Sequence, residues 1–87
     1  MHVLFSKTFT KTYKRLDQKI KKAFEIKLLI FIENEFDETL RNHSLQGKYD
    51  GVRSITITGD FRAHYVILLE ESRTFVAIGT HSELYEK

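Results

Sequence analysis

The first half of the chain has the hydrophobic spacing of two helices behind a short strand. After the apolar residues 3–5, Ser6 can cap a helix in which apolar side chains recur every three or four residues. Asp17 can cap a second helix. The apolar stripe of that helix consists of Ile20, Phe24, Leu28 and Phe31. Because no proline or glycine interrupts residues 1–46, the pattern places the end of this helix only within residues 33–38. We therefore expect a strand and then a helical hairpin.

Beyond Gly51 the apolar residues alternate with polar ones, which is the spacing of a half-buried strand. Arg53, Ile55 and Ile57 share one face of this strand in the alternation. A turn at residues 58–60 leads to predicted strands at 61–69 and 74–79, and residues 82–87 can form a helical turn capped by Ser82. The expected fold is a single α+β domain over residues 1–87, in the order β-α-α-β-β-β. Its two helices pack on one face of a small antiparallel sheet.

Size and composition fit a globular domain in a reducing compartment. A chain of 87 residues buries roughly 60% of its unfolded surface, which suits one modest core. The absence of cysteine excludes disulfides and thiolate metal sites, so we expect a cytoplasmic protein. The apolar run at residues 28–32 is too short to span a bilayer, and the N-terminus lacks the pattern of a signal peptide. We expect no membrane partner.

The net charge of +2 conceals an uneven distribution. Residues 1–27 carry eight basic and two acidic side chains, whereas the remainder of the chain is net acidic. Such a run is either a solvated helix face or a surface for nucleic acid. If it binds nucleic acid, we expect its lysines to contact the phosphates. These lysines are Lys11, Lys14, Lys19, Lys21 and Lys22.

Several kinds of chemistry are excluded by spacing. The four histidines are widely separated and lack clustered carboxylates, so no metal site is expected. The glycines stand singly, which excludes a glycine-rich phosphate loop and a nucleophile elbow. We expect no cofactor.

What remains is a group of imidazole, guanidinium, ammonium and phenol side chains after residue 42. They are His43, Lys48, Tyr49, Arg53, Arg62, His64, His81 and Tyr85. Cleaving RNA through its own 2′-hydroxyl needs a base, an acid and a cation at the phosphate, and no metal ion. Histidine and arginine supply these groups near neutral pH. A lone strand histidine is more often structural, so the pattern alone only suggests this activity.

Strand alternation arranges some of these residues. In the last predicted strand, Ala77, Gly79 and His81 share one face, while Val76 and Ile78 share the apolar face that the helices must cover. We expect the opposite face to be open to a ligand. Arg62 and His64 share a face by the same alternation.

Four segments, in about the last half of the chain, carry a family resemblance. Residues 78–85, Ile-Gly-Thr-His-Ser-Glu-Leu-Tyr, resemble the C-terminal signature of YafQ-type toxins. Residues 42–47 resemble the family's histidine-bearing segment, and residues 51–53 with 59–62 resemble its central hairpin. The chain thus resembles the RelE/YafQ family of toxin ribonucleases over its second half in motif detail, and over its first half in helical pattern.

The resemblance implies a ribosome-dependent endoribonuclease that cuts messenger RNA and is neutralised by a cognate antitoxin. With a ribosomal target, the lysines named above from residues 1–27 are expected to contact ribosomal RNA. Contact with DNA is implied only through the antitoxin complex. His43 and His81 match catalytic histidines of the family, Asp60 matches an acidic position beside the site, and Arg62 falls where RelE-type sequences have an arginine. The predicted substrate contacts are Arg53, Phe61, Lys48 and Tyr85. Phe61 can stack on a base or pack in the core, and Arg53 can bind RNA or tie its strand to the loop at Asp50.

Two positions depart from the family pattern. Thr56 stands where YafQ-type sequences have a histidine, and Ala77 where they have an arginine. Arg62 can supply the charge that Ala77 lacks. The departures keep two other functions open: a toxin of this fold that grips a protein target, as ParE-type relatives do, and a domain that binds ribosomal RNA without cutting it.

Overall fold

The described part of the chain, residues 1–85, forms ten elements, which are helices, 3-10 turns and strands. The computed structural model describes residues 1–85, and residues 86–87 of the predicted C-terminal turn lie outside this range. The helices are α1 (Lys7–Lys14), α2 (Gln18–Glu33) and α3 (His81–Tyr85), with 3-10 turns at Glu38–Leu40 and Gly47–Tyr49. The strands are β1 (His2–Phe5), β2 (His43–Ser44), β3 (Val52–Thr56), β4 (Phe61–Val66) and β5 (Ser72–Thr80). Among these residues, no helix has both the length and the apolar character to cross a membrane.

The helical hairpin forms as predicted. The Ser6 hydroxyl accepts a 3.0 Å hydrogen bond from the backbone N–H of Phe9 and so caps α1. Asp17 occupies the N-cap position of α2, although its side chain makes no capping bond. The helix ends at Glu33, inside the predicted window.

The sheet is mixed, with strand order β1-β5-β4-β3-β2. The three strands β3, β4 and β5 are antiparallel neighbours, as predicted. β1 runs parallel to β5, so the sheet is not wholly antiparallel. The two-residue strand β2 adds to the far edge and was not predicted. The α+β fold class, with two helices packed on a small sheet, is confirmed.

The core lies between the helical hairpin and one face of this sheet. Ile55, Ala63 and Ile78 form one row of that face, and all three are buried. Aromatic rings from both layers fill the space above them. These rings are Phe9, Phe24, Phe31, Tyr65 and Phe75. Full burial of a side chain of this size contributes about 1.5–3 kcal/mol, so these rings dominate the stability of a small domain.

A β-bulge in β5 changes which residues face the core. His64 pairs with Ala77 and Tyr65 with Phe75, which leaves Val76 without a partner on β4. Phe75, and not Val76, is therefore the buried companion of Ile78. The prediction that Val76 shares the apolar face was wrong because the extra residue interrupts the alternation.

The ends of the last elements also differ from the prediction. β4 stops at Val66, and residues 67–69 are exposed. β5 ends at Thr80, so His81 does not continue a strand face and instead begins α3. The cap of α3 is Thr80 and not Ser82, because the Thr80 hydroxyl accepts the backbone N–H of Glu83.

Candidate functional site

Four residues line up across the sheet on the face turned away from the core. His43 on β2 lies opposite Ser54 on β3, Ser54 lies opposite His64 on β4, and His64 lies opposite Ala77 on β5. Directly opposed residues of antiparallel strands project to the same side. We call this set the His43–Ala77 row.

The middle of the row is covered, which contradicts the expectation of an open face. The Tyr85 hydroxyl lies 2.8 Å from Nε2 of His64, and the Tyr49 ring packs at 6.3 Å from the imidazole, between centroids. The Tyr49 hydroxyl in turn donates to the carbonyl of Leu84 at 3.0 Å and so attaches the second 3-10 turn to α3. His64 keeps only 4% of its surface exposed as a result.

Burial determines the charge of His64. Loss of solvent, together with the nearby imidazole of His43, lowers the pKa of His64 to about 4. The ring is therefore neutral at physiological pH and has one nitrogen that donates and one that accepts. A neutral imidazole in contact with a phenol can hold that phenol in place or exchange a proton with it.

Two features seat α3 on the end of the sheet. Thr80 and Glu83 form a reciprocal capping box, in which the Thr80 N–H donates to Glu83 Oε1 at 2.8 Å and the Glu83 N–H donates to Thr80 Oγ1 at 3.1 Å. Gly79 leaves the necessary room, since a Cβ there would lie 3.0 Å from Glu83 Oε1 and 3.4 Å from Leu84 Cδ2. The helix thereby places Tyr85 over His64.

His81 and Asp60 meet at the start of α3. The His81 N–H donates to the Asp60 carbonyl at 3.1 Å, and the exposed His81 ring packs on Tyr85 with 4.5 Å between centroids. Asp60 lies in the exposed β3–β4 turn. The structure thus brings His81, Asp60, Tyr85 and His64 into one cluster.

Arg62 belongs to the same end of the sheet. It lies opposite Thr56 and Gly79, two residues along β4 from His64 and on the same face. Its Nη1 donates to three carbonyls of the turn, those of Thr58, Gly59 and Phe61, at 3.0–3.2 Å. Nη2 and Nε make no hydrogen bond to the described residues, so they can bind an anion.

His43 lies at the other end of the row. At about 4.8 Å per strand, the backbones of β2 and β5 are about 14 Å apart, so His43 and His81 do not touch. His43 is exposed, and its Nδ1 lies 2.9 Å from the Arg41 carbonyl. Between His43 and His64 sits Ser54, whose buried hydroxyl has no hydrogen-bond partner within residues 1–85.

The predicted substrate contacts divide between the two faces. Lys48 stays near the site, with Nζ 5.4 Å from the centroid of the Tyr49 ring. Phe61 packs against the core, and Arg53 lies opposite the buried Tyr65. Arg53 donates through Nε to Asn42 Oδ1 at 2.8 Å, with its guanidinium 5.2 Å from the centroid of Phe36. Arg53 therefore ties its strand to Asn42 and not to Asp50, away from the His43–Ala77 row.

A polar network on the core face fixes the chain that leads into His43. The Glu35 carboxylate accepts hydrogen bonds from Nε and Nη2 of Arg73 at 2.9 and 3.1 Å, and from the Tyr65 hydroxyl at 2.6 Å. Asn42 Nδ2 donates to the same hydroxyl at 2.7 Å and to the Glu35 carbonyl at 3.0 Å. Burial by itself would raise the pKa of Glu35, but the bonds from Arg73 and Tyr65 lower it overall. Burial and the bond to Glu35 raise the pKa of Tyr65 to about 12.

Sequence reasoning named His64 and Tyr49 but gave neither a role. The sequence feature that pointed to His64 was the strand alternation, which places it on the same face as Arg62. The register that aligns it with His43 and Ala77, and the packing of Tyr49 and Tyr85 over it, depend on long-range pairing that no local pattern encodes. Within residues 1–85, no three His, Asp or Glu side chains are grouped so that they could hold a metal ion.

Known structures share this architecture. YafQ from E. coli strain BL21(DE3) superimposes with a TM-score of 0.71 at 23% identity, covering 95% of this chain and 96% of that one. A YoeB/ParE toxin from Agrobacterium tumefaciens gives a TM-score of 0.77 at 16% identity, covering 93% and 99%. The E. coli DinJ–YafQ complex matches with a TM-score of 0.68 at 24% identity, covering 95% and 96%. At these identities the likeness establishes the fold.

Family membership rests on the sequence itself. A search among curated proteins found no match. The family described as bacterial toxin of type II toxin-antitoxin system, YafQ, matches residues 1–86. Because that match spans nearly the whole chain, the protein belongs to the YafQ family of toxins of type II toxin–antitoxin systems.

Proposed function

We propose that this toxin is a ribosome-dependent endoribonuclease that cuts messenger RNA by metal-independent acid–base catalysis. One observation carries the proposal: His81, Tyr85 and His64 are in contact at the end of the sheet where Arg62 and Asp60 also lie. Imidazole, phenol and guanidinium together are the groups that phosphodiester cleavage requires.

The chemistry assigns a role to each of these groups. We assign the two proton transfers to His43 and His81, whose side chains must reach opposite sides of one phosphate across the roughly 14 Å between β2 and β5. One removes the proton of the 2′-hydroxyl, whose oxygen attacks the adjacent phosphorus, and the other protonates the departing 5′-oxygen. The products are a 2′,3′-cyclic phosphate and a free 5′-hydroxyl. Arg62 stabilises the charge of the pentacoordinate phosphorus through its free nitrogens. The Asp60 backbone carbonyl accepts the His81 N–H, and we propose that the Asp60 carboxylate turns toward a protonated His81 during the reaction. His64 holds the Tyr85 phenol in place and is a positioning residue.

In vitro translation of a defined messenger RNA tests this activity. Ribonuclease activity predicts cuts at specific positions in RNA that is being translated and none in RNA without ribosomes. Intact RNA with stalled ribosomes would contradict the ribonuclease and support a domain that binds ribosomal RNA. Intact RNA with normal synthesis would support a toxin that grips a protein target.

The non-cleaving alternatives have one observation in their favour. Nη1 of Arg62 is occupied by turn carbonyls, and the row ends at Ala77, which carries no charge. A site with so little free cationic charge has less capacity to stabilise a phosphorane.

We also propose that a cognate antitoxin, encoded beside this toxin, neutralises it through an amphipathic helix. YafQ of E. coli is solved in complex with DinJ, and the outer face of α2 exposes Ile26, Leu29 and Ile32, which suits a helical partner. Co-expression with the adjacent reading frame should protect growth and give a stoichiometric complex. Leu29→Glu should weaken that complex, whereas the exposed control Lys19→Glu should not. A complex that tolerates Leu29→Glu would exclude this face, and the absence of both protection and complex would contradict the partner.

A further inference from the structure

A groove of about 650 Å³ lies between α1 and α3, beside the candidate site. One of its walls is a single face of α1 and its C-cap residue, which presents Thr8, Lys11, Thr12 and Arg15. Lys11, Thr12 and Arg15 follow Thr8 at helical spacings of three, four and seven residues, so the four side chains point the same way. Ala77 and Ile78 of β5 form its floor, and Glu83 and Leu84 form the other wall.

The cations of this groove are available to a ligand. Lys11 and Arg15 are exposed, and neither forms a salt bridge with any residue of the described part of the chain. The one carboxylate in the groove, that of Glu83, accepts the 2.8 Å bond from the Thr80 N–H in the capping box. The groove therefore offers two unengaged cations and the threonine hydroxyls on one wall.

The groove is continuous with the His43–Ala77 row. Ala77 is both the last residue of the row and part of the groove floor. The helix α3 borders both sites, with Glu83 and Leu84 on the groove wall and His81 and Tyr85 in the candidate site. RNA that leaves the site at His81 can therefore reach the groove around this helix.

We propose that the groove binds the sugar–phosphate backbone of single-stranded RNA where it leaves the candidate site, with Lys11 and Arg15 on its phosphates. The inference rests on the proposal that RNA occupies that site. An amphipathic protein helix fits the groove less well, since the only large apolar side chains lining it, Leu16, Ile78 and Leu84, are buried or half-buried.

Salt-dependent binding of the whole chain to fluorescent 2′-O-methyl RNA tests the groove. This RNA cannot be cut through its 2′-oxygen, so binding is read without catalysis. Each phosphate contact on a single strand contributes about 0.7 to the slope of log K against log salt. The double variant Lys11→Gln/Arg15→Gln should lower that slope by about 1.4. The control Lys7→Gln/Lys27→Gln removes the same charge outside the groove, at lysines not expected to contact RNA, and should leave the slope nearly unchanged.

Either of two results would contradict RNA binding in the groove. One is an equal change of slope in the two double variants, and the other is no binding of the RNA by the unmodified chain at low salt. Changes in amide NMR shifts on RNA addition locate the contact, and we expect the amides of Thr8, Thr12 and Ala77 to shift. Shifts confined to the sheet face would also contradict RNA binding in the groove. If the groove binds RNA but messenger RNA is not cut during translation, only the proposed ribonuclease activity is contradicted. If messenger RNA is cut but the Lys11→Gln/Arg15→Gln variant keeps the wild-type salt slope, only the groove proposal is contradicted.

Discussion

His64 shows how a single side chain acquires its chemistry from the fold. In the sequence it is one of four histidines. In the structure its ring is buried beneath Tyr85 and Tyr49, and burial lowers its pKa to about 4. An imidazole that must stay neutral to fold makes the stability of the protein depend on pH.

We predict that stability falls as the pH drops from about 6.5 towards 4. In the unfolded chain the imidazole has a pKa of about 6.5 and is protonated below that pH. In the folded protein the ring stays neutral down to about pH 4, so acid favours the unfolded state. The stabilisation is thus complete above about pH 6.5, and up to about 3 kcal/mol is lost by pH 4. The pKa of Glu35 is lowered, so its contribution to stability is complete above the ordinary carboxyl pKa and is lost as the pH falls from there through the lowered value. Urea unfolding between pH 7 and pH 4.5 measures the slope.

His64→Gln should flatten this slope, because glutamine can bond to Tyr85 without titrating. The exposed His2 provides the matched control, and His2→Gln should retain the wild-type dependence. An unchanged slope in His64→Gln would show that other groups cause the acid sensitivity.

At the scale of elements, α3 depends on its cap. A helix of five residues does not persist by itself, so the Thr80–Glu83 box and the contacts of Tyr85 must hold it. Thr80→Ala removes the hydroxyl that accepts the Glu83 N–H. We predict a loss of about 1 kcal/mol in the free energy of unfolding, together with a shift of the His64 ring resonances as Tyr85 loosens.

Ser82→Ala distinguishes the two possible caps. The sequence suggested Ser82, whereas the structure uses Thr80, so Ser82→Ala should change thermal stability little. A larger loss in Ser82→Ala than in Thr80→Ala would support the cap that the sequence suggested.

The Glu35 network joins the end of α2 to the sheet and to the chain before His43. Glu35→Ala leaves Arg73 and the buried Tyr65 hydroxyl without their acceptor, and we predict a loss of about 3–5 kcal/mol in the free energy of unfolding. Glu35→Gln keeps one acceptor and should lose less, which provides a measurable variant if the alanine variant does not fold. The exposed Glu33→Ala should stay within about 0.5 kcal/mol of wild type. Equal stability of the Glu33 and Glu35 variants in chemical denaturation would contradict the network.

Elements with a strong local period were predictable, and elements set by distant pairing were not. Apolar spacing located α1, α2 and β3, and turn residues located the β3–β4 hairpin. Nothing local indicates that β1 joins β5 in parallel, that residues 43–44 form a strand, or that a bulge at Val76 reverses the alternation. For the same reason the sequence could propose His43, His81, Arg62 and Asp60 as one site but could not place His64 and Ser54 between them.

For the whole molecule, the sequence revealed the basic N-terminal third but not its arrangement. Lys11 and Arg15 face the groove next to the candidate site, while Lys14 and Lys22 are exposed elsewhere. The fold thus divides one basic run between the groove and other surfaces. The predicted docking of the remaining lysines on ribosomal RNA stays compatible with this division.

The central claim is that the residues around α3 and β4, with His43, cut RNA. The most direct measurement is the single-turnover rate of cleavage of a defined messenger RNA on programmed ribosomes, with thermal melting to confirm folding. Loss of a general acid or base costs about 10² to 10⁴-fold in rate, and loss of a charge-stabilising donor about 10² to 10³-fold. His81→Ala and His43→Ala should fall in the first range and Arg62→Ala in the second, while His2→Ala should cleave at the wild-type rate. Folded His81→Ala and Arg62→Ala proteins with nearly wild-type rates would contradict this account.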